Sequence, residues 1–124
     1  MKIKFYFCKH CGNVIAMIKN NGVPIKCCGE NMQEIIPGTS DGAQEKHVPV
    51  YNVNGETVTV SVGATEHPMT DDHYIEWVCI ETVDGFQFKN LTPGVSPHIS
   101  FNISKGDKVK SVYAFCNQHS LWKA

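Results

Sequence analysis

Four of the six cysteines lie within the first 28 residues of this 124-residue chain. The first two stand in Cys8-Lys9-His10-Cys11-Gly12. Fifteen residues later come Cys27-Cys28-Gly29. A C-x-x-C followed by glycine is a knuckle that holds two thiolates on one face of a metal. The glycine permits the backbone turn, and amides of the turn can point at sulfur. Four sulfurs suit tetrahedral iron or zinc. The second pair is unusual because its cysteines are adjacent. Neighbouring residues point in divergent directions, so a second regular knuckle is excluded and the tetrahedron should be distorted. A zinc ribbon and a vicinal disulfide are the competing readings of the same spacing. His10 lies inside the knuckle loop, but four thiols complete the site without it.

The later histidines form a second constellation. His47 stands in Glu45-Lys46-His47-Val48-Pro49. His67 and His73 share one loop, Glu66-His67-Pro68-Met69-Thr70-Asp71-Asp72-His73. Cys116 and His119 close the last strand in Phe115-Cys116-Asn117-Gln118-His119. A cysteine and a histidine three apart can reach one metal across a tight turn. Imidazole nitrogen with one thiolate suits iron or copper. Four histidines in a plane would leave the cysteine axial and one face open to a small molecule. A blue-copper site also combines an early histidine with a late cysteine and histidine. It normally adds a methionine after that histidine, and residues 120–124 contain none. It also needs only two histidines, so the pair His67 and His73 argues against it.

Residues 1–36 hold the four thiols and are too few to bury an adequate core. Below roughly 40 residues a fold usually needs a metal, a disulfide or a partner chain. Residues 37–46, Pro37-Gly38-Thr39-Ser40-Asp41-Gly42-Ala43-Gln44-Glu45-Lys46, have the composition of a linker or loop. The remainder reads as β structure. Val58, Val60 and Val62 alternate with Thr57, Thr59 and Ser61, the period of a half-buried strand. Further strands are predicted over 74–83, 86–91, 99–103 and 109–115. Asn54-Gly55 and Asp84-Gly85 are hairpin signals between such runs. No segment has a sustained helical period. Short strands with regular turns argue for an antiparallel sandwich or barrel. The whole chain is 42% hydrophobic with a net charge of −1. It has no basic stripe for nucleic acid, no acidic tail and no apolar run of membrane length. Met1-Lys2-Ile3-Lys4-Phe5 lacks the apolar region of a secretory signal, so a soluble, cytoplasmic protein is expected. In that setting cysteine pairs are metal ligands or redox groups rather than disulfides.

With these motifs in order, the chain resembles desulfoferrodoxin, the two-iron class of superoxide reductase, over essentially its whole length. The resemblance rests on the Cys8, Cys11, Cys27, Cys28 set, on Glu45-Lys46-His47-Val48-Pro49, His67-Pro68-Met69 and His73-Tyr74-Ile75-Glu76-Trp77, and on Cys116-Asn117-Gln118-His119. It implies a mainly β protein in two domains. Residues 1–36 would be a small desulforedoxin-like domain, related to rubredoxin, with iron on Cys8, Cys11, Cys27 and Cys28. Residues 37–124 would be an immunoglobulin-like antiparallel β-sandwich. There His47, His67, His73 and His119 would surround a ferrous iron in one plane, with Cys116 axial. It also implies that Glu45 can ligate the vacant position in the oxidised state and that Lys46 lies near the open face. The implied reaction is reduction of superoxide to hydrogen peroxide. An electron donor such as rubredoxin restores the iron, and homodimers are common in the family. Ser120 departs from the pattern, since many relatives have glycine there.

The remaining candidates have plainer readings. Cys79 alternates with Ile75 and Trp77 and should be a buried structural thiol on the same strand face. His98 reads as a surface or turn residue, and Trp77 and Trp122 as packing around the iron loops. Glu66, Asp71 and Asp72 either orient histidine rings or are solvated loop charges. A non-catalytic electron carrier and a zinc-stabilised binding module are the rival functions, and metal analysis separates them from a two-iron enzyme.

Overall fold

The computed structural model describes residues 3–124. The chain forms two compact units, Met1–Ile36 and Pro37–Ala124.

The first unit is built from very short strands. β1 (Lys4–Phe7) lies between β2 (Val14–Met17) and β5 (Gln33–Glu34), and β3 (Lys26–Cys27) pairs with β4 (Glu30–Asn31). Its buried apolar side chains are Ile3, Phe5, Cys8 and Ile35. One of these is itself a thiol of the four-cysteine set. So small a core explains why the cysteines must contribute to the fold as well as to chemistry.

The second unit packs two antiparallel sheets. One has the order β10-β7-β6, from β6 (Pro49–Asn54), β7 (Thr57–Val62) and β10 (His98–Asn102). The other has the order β12-β11-β8-β9, from β8 (Ile75–Thr82), β9 (Phe86–Asn90), β11 (Val109–Cys116) and β12 (Ser120–Lys123). Between them lies one core of Val58, Val60, Val62, Ile75, Val78, Ile80, Leu91, Phe101, Ile103, Val112, Ala114 and Cys116. The alternation in Thr57–Val62 therefore does what its period predicts. Val58, Val60 and Val62 point inward, while Thr59 is exposed.

The strand β8 corrects one expectation. Ile75 does not share a face with Trp77 and Cys79. Ile75 pairs with Cys116 and Trp77 with Phe115, and the register shifts between these pairs. The extra residue, Glu76, reverses the alternation, as a β-bulge does. Ile75 thus enters the core with Val78 and Ile80, and Trp77 stacks on Phe115 with ring centroids 5.3 Å apart. Cys79 is fully buried all the same, and burial pushes its thiol up to about 12. It is an inert structural thiol.

The segment read as a linker is not loose. Gly38 N donates to Leu121 O at 2.8 Å, and Ser40 Oγ donates to His119 O. Its end winds into a helical turn, α1 (Gln44–His47). A single turn is too short to leave a periodic signature in sequence.

Candidate metal centres

In the first unit Cys8, Cys11, Cys27 and Cys28 bring their sulfurs within 4.8 Å of one another. Cys8 is buried, whereas Cys11 and Cys28 reach the surface. The knuckle closes with Gly12 N on Cys8 O at 2.9 Å. Backbone amides of Cys11 and His10 hold the Cys8 thiol down to about 6. The adjacent pair solves its geometric problem through the backbone. Cys28 has φ +52°, a left-handed conformation rare outside glycine, and this rotates its side chain back toward Cys27's side. Hydrogen bonds among the thiols push Cys28 up to about 12, led by Cys11 and followed by Cys8. Four sulfurs this close cannot all ionise unless a cation joins them, and the donor set fits iron held tetrahedrally. His10 stays outside, exposed, with Nε2 3.3 Å from Glu30 Oε2.

In the second unit the ligand atoms of His47, His67, His73 and Cys116 also lie within 4.8 Å of one another. His119 joins through Nδ1, which stands 3.1 Å from His47 Nε2 and 3.9 Å from Cys116 Sγ. Two of the rings are aimed by bonds to backbone carbonyls. His47 Nδ1 donates to Ala43 O at 2.8 Å and His67 Nδ1 to Pro68 O at 2.7 Å. Both rings therefore present Nε2 inward, 3.1 Å apart. That separation is a convergence of lone pairs more than a bond, because each Nδ1 already carries the proton. His73 Nε2 is buried and has no hydrogen-bond partner among the described residues. A buried polar nitrogen left without a partner is costly, and a cation at the focus of these donors removes that cost. His119 N donates to Cys116 Sγ at 3.4 Å.

The electrostatics agree. Burial is the main cause that lowers the proton affinity of His47 and His73 and brings His67 down to about 4. Neutral imidazoles are metal ligands; imidazoliums are not. Burial raises the Cys116 thiol, and the Gln118 and His119 amides oppose it. Lys46 is exposed, yet its charge contributes to the lowering at both His47 and His73. Glu45 is exposed, and its backbone carbonyl accepts from Thr65 N at 2.8 Å.

Some supporting residues escape sequence reading. Asn117 Oδ1 accepts from Tyr74 N at 2.9 Å, while Asn117 Nδ2 and Gln118 Nε2 both donate to Asp72 O, at 3.0 and 2.7 Å. The two residues between Cys116 and His119 thereby clamp the loop that carries His73. Their amide side chains at the centre of Cys-x-x-His are the only signal that could have found them. His98 sits outside both sets, with Nδ1 2.6 Å from Ser61 Oγ.

Comparison with known proteins agrees with this geometry. The desulfoferrodoxin family model matches residues 39–124. Desulfoferrodoxin of Clostridium acetobutylicum is 42% identical over 123 residues, covering 98% of this chain and 95% of that protein. The crystal structure of the superoxide reductase from Treponema pallidum is 36% identical and superimposes with a TM-score of 0.84, covering 100% of this chain and 99% of that one. The one-iron superoxide reductase from Giardia intestinalis is 33% identical with a TM-score of 0.55. It covers 64% of this chain and 95% of its own.

Proposed function

The chain belongs to the desulfoferrodoxin family, and from that premise we propose that it reduces superoxide to hydrogen peroxide at the centre formed by His47, His67, His73, His119 and Cys116. The observation that carries this reading is the convergence of buried imidazole nitrogens, one of them unpartnered, on a buried thiol. His47, His67, His73, His119 and Cys116 would hold a ferrous iron there, which would supply the electron, and the Cys116 thiolate would raise electron density at that metal.

Superoxide takes up one electron and two protons to become hydrogen peroxide. The chain's own groups serve the rest of that balance. Lys46 puts a positive charge beside an anionic substrate and speeds its arrival. Its ammonium also steadies the reduced, more basic product while water delivers protons. Glu45 supplies the carboxylate that meets the oxidised centre. The rings of His47, His67, His73 and His119 and the Cys116 sulfur hold the geometry. Cys8, Cys11, Cys27 and Cys28 would hold a second iron, which would pass single electrons. A small redox protein such as rubredoxin is the external donor. A homodimer is supported by β6, the edge strand of its sheet, which exposes Val50, Tyr51 and Val53 and bears no charge. An edge of that kind invites pairing with a second copy.

The test combines metal analysis with pulse radiolysis. The protein as isolated should contain two irons, and its ferrous form should react rapidly with superoxide. Cys116→Ser should lose the ferric thiolate absorption and slow the reaction by more than about 100-fold, beyond what loss of a merely supporting group does. Wild-type speed without that sulfur would overturn the assignment.

A further inference from the structure

Resting on that reading of the His–Cys centre, we propose that Trp122 is a positioning residue for it, fixing His47 and His119 relative to one another across two unpaired elements.

His47 comes from α1 and His119 from the turn between β11 and β12. No strand pairing ties these two elements, so side chains must. Trp122 is 3% exposed. Its ring lies 4.9 Å from the His47 ring, with 30° between the planes. Its Nε1 donates to His119 O at 3.0 Å. The two contacts complement what the backbone already does. The bond from His47 Nδ1 to Ala43 O fixes one edge of that ring but leaves it free to pivot about the bond. A flat indole against the ring face removes the pivot, and the aim of Nε2 is then set. On the other side, the indole N–H and the Ser40 hydroxyl both hold the His119 carbonyl. They fix the peptide from which the ring projects its Nδ1 toward His47.

Gly42 makes room for the arrangement. A Cβ at that position would lie 2.9 Å from Trp122 Cζ2, 3.2 Å from His119 Cβ and 3.2 Å from His47 Cε1. A side chain at this one point would meet the indole and both ligands. The requirement there is for space and not for an unusual backbone angle.

The alternative is that Trp122 only fills the core. A filler changes thermal stability; a positioning group changes metal affinity and ligand geometry as well. The experiment loads the four-cysteine site of the full chain with Cd2+, which prefers thiolates. It then titrates the second centre with Co2+, reading ligand-field and thiolate charge-transfer absorption. Trp122→Leu should weaken Co2+ by about 10- to 100-fold, the range for groups that orient a ligand, and should shift the ligand-field bands. Trp122→Phe keeps a flat face without the N–H and should recover part of the affinity. Gly42→Ala should shift the bands with the indole still present. Folded Trp122→Leu with wild-type affinity and bands overturns the proposal. Should Trp122→Leu not fold, wild-type behaviour of both Trp122→Phe and Gly42→Ala overturns it equally. A wild-type chain whose second site gives no thiolate charge transfer overturns the centre itself, a failure separable from loss of the indole's role.

Discussion

At the scale of single residues, charge decides more than contact does. Residues 37–124 carry ten carboxylates against six lysines, so the second unit as a whole repels an anion. Lys46 works against that background at short range. Burial is what mainly lowers His47 and His73, and the Lys46 charge adds to it; on the proposed reading that same charge favours superoxide. Lys46→Ile should slow the bimolecular reaction with superoxide by about tenfold at low ionic strength, the low end of steering effects. It should also flatten the salt dependence, since salt screens attraction between exposed charges. Pulse radiolysis across a salt series reads both quantities. A variant with the wild-type rate and slope would remove Lys46 from the reaction. On the proposed reading Glu45 meets only the oxidised centre, so Glu45→Ala should leave this first step alone and change only the oxidised spectrum.

At the scale of elements, the turn between β11 and β12 does the most with the least. It carries Cys116 at one end and His119 at the other, and Asn117 and Gln118 bind the His73 loop between them. Ser120 closes it with φ +64°. A left-handed angle costs a non-glycine residue roughly 1–2 kcal/mol, while glycine loses about 0.5–1 kcal/mol more entropy on folding. Ser120→Gly should therefore stabilise the protein by about 0.5–1 kcal/mol and raise Tm by a few degrees, with the spectrum of the centre unchanged. A lower Tm would show that the hydroxyl makes a contact outweighing the strain. That this turn is tight was readable, because a cysteine and a histidine three apart reach one metal across a tight turn; the left-handed angle at Ser120 did not follow from that spacing. The valines of β7 were readable from their period. Other features were not. The bulge at Glu76 reverses the face of Ile75 against Cys79, and it depends on pairing with β11 that no local pattern encodes. The strap from Gly38 to Ala43 has a linker's composition because its partners are carbonyls and rings rather than apolar neighbours. Trp122 read as packing because its indole nitrogen reveals its acceptor only once β12 and the turn are in place.

At the scale of the whole molecule, the two donor sets divide by chain segment. Every thiol of the tetrahedral set belongs to Met1–Ile36, and every imidazole of the other set belongs to Pro37–Ala124. Among the described residues the sandwich has its own core of twelve buried side chains, all from Pro37–Ala124. Among the described residues the first unit has only Ile3, Phe5, Cys8 and Ile35 as buried apolar groups, so its fold leans on its metal. The consequences of losing one ligand should be unequal. Cys28→Ser takes away one of the four sulfurs, a surface thiol that its neighbours push up to about 12. The variant should lose the four-sulfur ferric spectrum and fall from two irons toward one. The first unit should become sensitive to protease within residues 1–36. The second centre should still meet superoxide at a rate within about twofold of wild type, because every ligand proposed for it lies in Pro37–Ala124. Pulse radiolysis of the pre-reduced variant isolates that single step from electron supply. A rate reduced tenfold or more in the pre-reduced protein would mean that the thiolate centre acts on the reaction itself. An unchanged pre-reduced rate with slower turnover from an external donor is the outcome expected of an electron-entry module.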